Sequence, residues 1–145
     1  MYLPIKIEDD GFVVRYAFRD DSGNDYMVQF KNDCVIGGGR RILGKSYEMA
    51  YYSKNEEGVW DARVVVNSGS PFRIMEAVFG KALRMFLREN GWIRSIWMEG
   101  IAKEGEKRGV TQRTRLYARH LEKDPVKGFI IRIDGNRIEL IKKNR

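Results

Sequence analysis

The stretch TQRTRLYARHL at residues 111–121 gathers Arg113, Arg115 and Arg119 around Tyr117 and the chain's only histidine, His120. At helical spacing Tyr117 and His120, three residues apart, lie on one face. Lys103, Lys107 and Arg108 precede the stretch, and Arg40 with Arg41 closes the glycine-rich run VIGGGRR. Arginine presents a rigid fork of donors suited to bidentate contact with phosphate or carboxylate. If the glycine-rich run folds over the start of the helix, these groups surround a phosphate-bearing ligand. The same set, Arg40, Arg41, Lys107, Arg108, Arg113, Arg115 and Arg119, equally forms a basic face that meets acidic side chains of a protein partner. The bland alternative is a solvated helix, on which each charge contributes only about 0.3–0.5 kcal/mol.

Other chemistries lack their residues. With one histidine and one cysteine, Cys34, the chain can build neither a Ser/His/Asp or Cys/His nucleophile set nor an internal disulfide. Too few soft ligands remain for a structural zinc site, so no metal is expected. Lysine and arginine number 27 against 20 acidic residues, a formal net charge of +7, which favours anionic partners. The surplus is uneven: IEDDGF and RDDSGND are acidic, whereas residues 103–145 carry most of the net positive surplus. An acidic protein is therefore the first expected partner, nucleic acid stays open as a second, and self-association is left open. No apolar run approaches the roughly 20 residues that span a bilayer. The start MYLPIKIEDDG has no basic segment followed by an apolar one, so a cytoplasmic protein without a membrane partner is expected.

The elements that must position these residues follow from periodicity. FVVRYAFRDDSGNDYMVQFK holds two β-rich runs around an Asp/Ser/Gly/Asn cluster, predicting an N-terminal hairpin over 12–31. VIGGGRRILGKS, with three successive glycines, predicts a mobile loop over 36–46. A second hairpin is expected, with strands 47–53 and 59–66 around KNEEG. Met75, Val78, Phe79, Ala82 and Phe86 then recur at spacings of three and four, predicting an amphipathic helix over about 71–90, with Ser70 as cap, Pro71 at its first position and Asn90-Gly91 as its stop. IRSIWMEGI predicts a strand at 93–99, expected beside and parallel to 59–66 in a β-α-β crossover. A second helix is expected over about 109–123. GFIIRIDGNRIELIKK reads as a closing hairpin around Asp134-Gly135-Asn136. The order predicts an α+β fold in one domain over 1–145, a mixed, mostly antiparallel sheet with two helices.

In TRLYARHLEKDPVKGFIIRI the pair Leu116-Tyr117 stands on the second helix and Gly128-Phe129 opens the strand that follows. With the β-α-β-α-β-β order, residues 47–142 resemble the C-terminal half of the GNAT-type N-acetyltransferase fold. The same stretch, together with a Gly-containing turn before the helix of NSGSPFRIMEAVFGKALRMFL, resembles small uncharacterised bacteriophage proteins that carry a Ser/Thr-Arg-x-x-Leu-Tyr helix. The resemblance implies acetyl-CoA as cofactor, Tyr117 as the acid that protonates the departing thiolate, and Glu48 or Glu99 as base for an amine acceptor at the splayed centre of the sheet. It also implies a Gln/Arg-x-x-Gly-x-Gly/Ala turn whose N–H groups hold the pyrophosphate at a helix N-terminus. Val66, Gly69 and Pro71 fall on that turn, with Ser70 between, and only Gly69 matches. Proline also brings no N–H. The expectation is a phage-type GNAT-like protein that has lost acetyl transfer, needs no cofactor and acts by binding a host or phage macromolecule. The alternatives are an acyl-CoA-dependent N-acetyltransferase and a basic nucleic-acid-binding module.

Overall fold

The computed structural model describes residues 2–55, 57–61, 71–99 and 112–143. They form an α+β arrangement in which one mixed, mostly antiparallel sheet carries two helices. Its strands are β1 (Ile5–Asp9), β2 (Val13–Arg19), β3 (Asp25–Asn32), β6 (Ser46–Lys54), β7 (Trp60–Asp61), β8 (Ser95–Glu99), β9 (Phe129–Asp134) and β10 (Arg137–Lys142), while β4 (Val35–Gly37) and β5 (Arg40–Ile42) pair only with each other. Across the sheet the order is β1-β2-β3-β6-β8-β10-β9, and β7 adds to β6. The N-terminal hairpin β2–β3 thus joins the same sheet as the C-terminal strands.

One neighbouring pair is parallel. β6 meets β8 through Ser46↔Ser95, Tyr47↔Ile96 and Glu48↔Trp97, after which the pairing ends. The strand expected beside β8 is 59–66; of it, residues 59–61 are described, and Trp60 and Asp61 pair antiparallel with β6 at Lys54 and Ser53. β6 itself takes the parallel place, because both β6 and β8 begin at the same end of the sheet.

Helix α1 (residues 71–89) starts at Pro71 and stops before Asn90, whose side-chain amide donates to the Phe86 carbonyl at 2.9 Å. Its five expected apolar positions are all buried. Phe86 stacks on Phe30 of β3 at 4.0 Å between ring centroids and meets Tyr47 of β6 edge-on at 4.9 Å; burying one such ring contributes about 1.5–3 kcal/mol. The middle of α1, Glu76–Ala82, is π-helical rather than α-helical. Ala77, which a uniform α-helix sets on the far side of the apolar stripe, is buried as well. Helix α2 (Gln112–Lys123) lies against β9, β10 and α1, with Tyr117 edge-on to Phe79 at 5.3 Å and Thr114 hydrogen-bonded to Asn136 in the β9–β10 turn. Both helices cover the face that carries Phe30, Tyr47, Ile96 and Ile138.

The loop expected at 36–46 is a hairpin instead. Gly38 and Gly39 sit between β4 and β5 with φ of 58° and 76°, the left-handed pair that closes a two-residue type I′ turn. The backbone freedom of glycine, counted as an entropy cost, is here what permits the turn. At the hairpin's base the buried Asn32 side chain accepts from the Gly44 N–H and donates to its carbonyl, both at 2.9 Å. A Cβ on Gly44 would stand 2.4 Å from the Asp33 carbonyl oxygen, so this close approach admits glycine alone.

Candidate anion-binding site

The residues singled out in the sequence separate into three places. Tyr117 is buried, 7% exposed, in the core between α1 and α2. His120, one turn on, tilts against Phe79 at 5.7 Å, and its Nε2 is buried with no hydrogen-bond partner among the described residues. Glu48 and Glu99 lie on the opposite face of the sheet, helix-free among the described residues, since their neighbours Tyr47, Met49 and Met98 point into the core. Glu48 is half-buried, and burial, followed by the nearby charge of Asp33, raises its pKa; Glu99 adds to the rise. The structure thus brings the two carboxylates to one face and sets Tyr117 on the other. Gly69, Ser70, Lys107, Arg108 and the side chain of Arg113 fall outside the described residues. Arg115 and Arg119 are exposed on α2. Arg40 and Arg41 ride on β4–β5, where the Arg41 guanidinium lies 4.5 Å over the Phe12 ring. That hairpin sits beside the β1–β2 turn, while α2 contacts β9 and β10 at the other side of the sheet, so the two basic groups are not brought together.

Several charges on the helix-free face are paired across strands. Arg15 pairs with Glu8, Arg19 and Lys54 share Asp25, and Arg132 and Arg137 both reach Glu139. Trp97 Nε1 donates to Asp33 at 2.6 Å, and the Arg137 guanidinium covers the Trp97 ring at 4.2 Å. Such cross-strand pairs are a sheet's ordinary means of stabilising an exposed face.

A different distribution holds at the end where β6, β8 and β9 begin and β10 finishes. Lys45 precedes β6, Arg94 precedes β8, Lys127 precedes β9, and Lys142 and Lys143 end β10. Backbone hydrogen bonds hold these residues in a row: the Arg94 N–H donates to the Lys45 carbonyl, the Lys142 N–H to that of Arg94, and the Lys143 N–H to that of Gly128, each at 2.8 Å. Adjacent strands lie about 4.8 Å apart, so the row presents positive charge at each step across the sheet. Arg40, Lys45, Arg88, Arg94, Lys127 and Lys143 make no ion pair among the described residues. The carboxylates nearby are occupied: Asp124 by Arg84 at 3.3 Å and Glu89 by Lys6 at 2.6 Å.

Beside the row a groove of about 450 Å³ opens between the end of α1 and the segment leading into β9. Arg84, Arg88, Lys127 and Lys142 stand around it. Leu87, Ile93, Val126 and Phe129 give it an apolar floor. Arg84 is fixed by the Asp124 carbonyl at 2.9 Å and Lys142 by the Gly91 carbonyl at 2.5 Å, while Arg88 and Lys127 have no such ties among the described residues. Four cations around an apolar floor, with no carboxylate in the lining, favour an anion over a neutral or cationic ligand. Among the described residues no group of three or more His, Cys, Asp or Glu side chains is placed to hold a metal, and no helix is long and apolar enough to cross a membrane.

The chain matches no protein-family model, no curated protein and no solved structure in comparisons with each. The assignment of a site therefore rests on geometry and charge.

Proposed function

We propose that the protein acts by binding, and that its partner is an anionic macromolecule docked along the strand-start end of the sheet. The observation that carries this reading is the row of cations at Lys45, Arg94, Lys127 and Lys143, brought side by side by strand pairing and without ion pairs among the described residues, whereas Arg15, Arg19 and Arg132 on the other face of the sheet are each paired. Unpaired like charges repel one another and contribute nothing to folding. A counter-charged partner relieves that repulsion, so the row is better matched to a ligand than to stability. The parallel β6–β8 pair that parts after three residues is compatible with the GNAT-like scaffold of the proposal.

Acetyl transfer is the second reading, and the half-buried Glu48 with its raised pKa favours it as a proton acceptor. The start of α1 argues the other way. Pro71, its first residue, lacks the N–H that a helix N-terminus would aim at a pyrophosphate. A combined variant, Arg88→Gln, Arg94→Gln and Lys127→Gln, tests the binding reading. Its melting temperature should match the parent's, because the three side chains have no ion-pair partners among the described residues, while its affinity for labelled poly-glutamate at low salt should fall at least tenfold. Unchanged affinity, or a parent that binds no polyanion, contradicts the reading, and stoichiometric acetyl-CoA binding by calorimetry would favour the alternative.

A further inference from the structure

The charged row does not stand alone at its end of the sheet. Trp92 is 43% exposed there, and in the chain it separates Gly91, which lines the groove, from Ile93 and Arg94. Its indole is braced edge-on by Tyr47 at 5.9 Å, with 60° between the rings. The adjoining groove has a floor of Leu87, Ile93, Val126 and Phe129 beneath its rim of cations, and 450 Å³ is within the range that holds a small organic ligand.

The geometry points to single-stranded nucleic acid as the partner of this end: phosphates follow Lys45, Arg94 and Lys143, one base stacks on Trp92, and a neighbouring base enters the groove. The inference rests on the reading that this end binds a polyanion, and it names which one. An acidic protein surface would satisfy the cations but has no flat aromatic group in regular register with its charges. A single strand has both, a phosphate and a π-face in each repeat, and base–aromatic stacking beside a basic track is how such strands are held without sequence readout. Duplex nucleic acid offers the charge but keeps its bases stacked inside, out of reach of Trp92 and of the groove.

The test compares three probes by fluorescence anisotropy at low salt: a labelled oligo-dT of roughly 12 nucleotides, a duplex of the same length, which carries about twice the charge, and poly-glutamate. The single strand should bind tightest. Its log K should fall with log salt at a slope near −2, since each of about three neutralised phosphates contributes about −0.7 on a single strand. Trp92→Ala should cost the single strand about tenfold or more and leave poly-glutamate unaffected, because stacking is worth about 1–3 kcal/mol per base. Trp92→Phe, which keeps a ring against Tyr47, should recover much of the loss and guards against a folding defect in the alanine variant. Arg94→Gln with Lys127→Gln should weaken the single strand and poly-glutamate alike. Poly-glutamate or duplex bound as tightly as the single strand, or a Trp92→Ala loss shared equally by all three probes, overturns the inference while leaving polyanion binding intact. No binding of any probe would overturn both.

Discussion

At the scale of single residues, the two side chains that first attract attention in TQRTRLYARHL belong to the core. Tyr117 packs on Phe79, and His120 follows it with a buried Nε2 that has no hydrogen-bond partner among the described residues. Burial, the largest influence, lowers the pKa of His120, and the Arg84 charge lowers it further against the opposing Asp124. The folded chain therefore binds a proton at this site less readily than the unfolded chain, whose histidine titrates near 6.5. Stability rises with pH wherever the unfolded state holds more protons. It is consequently lost as pH falls below about 6.5, down to the depressed folded value. Denaturant midpoints at about pH 7.5 and 5.5 should show this loss in the parent and much less of it in His120→Leu. Equal slopes in the two proteins would show that the imidazole gains a partner on protonation. The residues that form the proposed site were hidden at this scale. Lys45, Arg94, Lys127 and Lys143 are scattered along the chain and share no local motif, and strand pairing alone makes them neighbours.

At the scale of elements, α1 was legible because Met75, Val78, Phe79, Ala82 and Phe86 keep helical spacing between Pro71 and Asn90-Gly91. Its π-helical middle was not, since the same spacing is satisfied by a uniform α-helix. Gly80 lies in that segment, its φ is not positive, and an added Cβ would meet Glu76 Cγ at an ordinary 3.5 Å. Gly80→Ala should therefore stabilise the protein by about 0.5–1 kcal/mol through helix propensity, read as a higher melting temperature. A loss instead would mean that the wide turn depends on glycine. The closing hairpin was legible from Asp134-Gly135-Asn136, which β9 and β10 flank as expected. β1 escaped notice because Ile5–Asp9 is exposed throughout, so no alternation of core and solvent residues marks it. The β4–β5 hairpin escaped because a run of glycines was judged by its entropy alone, and the demand of a type I′ turn for positive φ outweighs that cost.

At the scale of the whole molecule, the fold separates two charge patterns that composition merges into +7. The helix-free face carries cross-strand ion pairs, and the strand-start end is a row of cations that make no ion pair among the described residues. The excess of positive charge after residue 103 was visible in the sequence, but it suggested the exposed arginines of α2 as the binding face. Folding gathers a separate group of unpaired cations at the end of the sheet, because parallel β6 and β8 start together and β10 returns between β8 and β9. The most direct test of this account is a backbone amide chemical-shift map recorded while a polyanion is titrated into the labelled protein at low salt. The largest perturbations should fall on Lys45, Arg94, Lys127, Lys143 and the Gly91–Trp92 segment. Perturbations centred on Arg115 and Arg119 of α2, or on the helix-free face around Trp97, would contradict it.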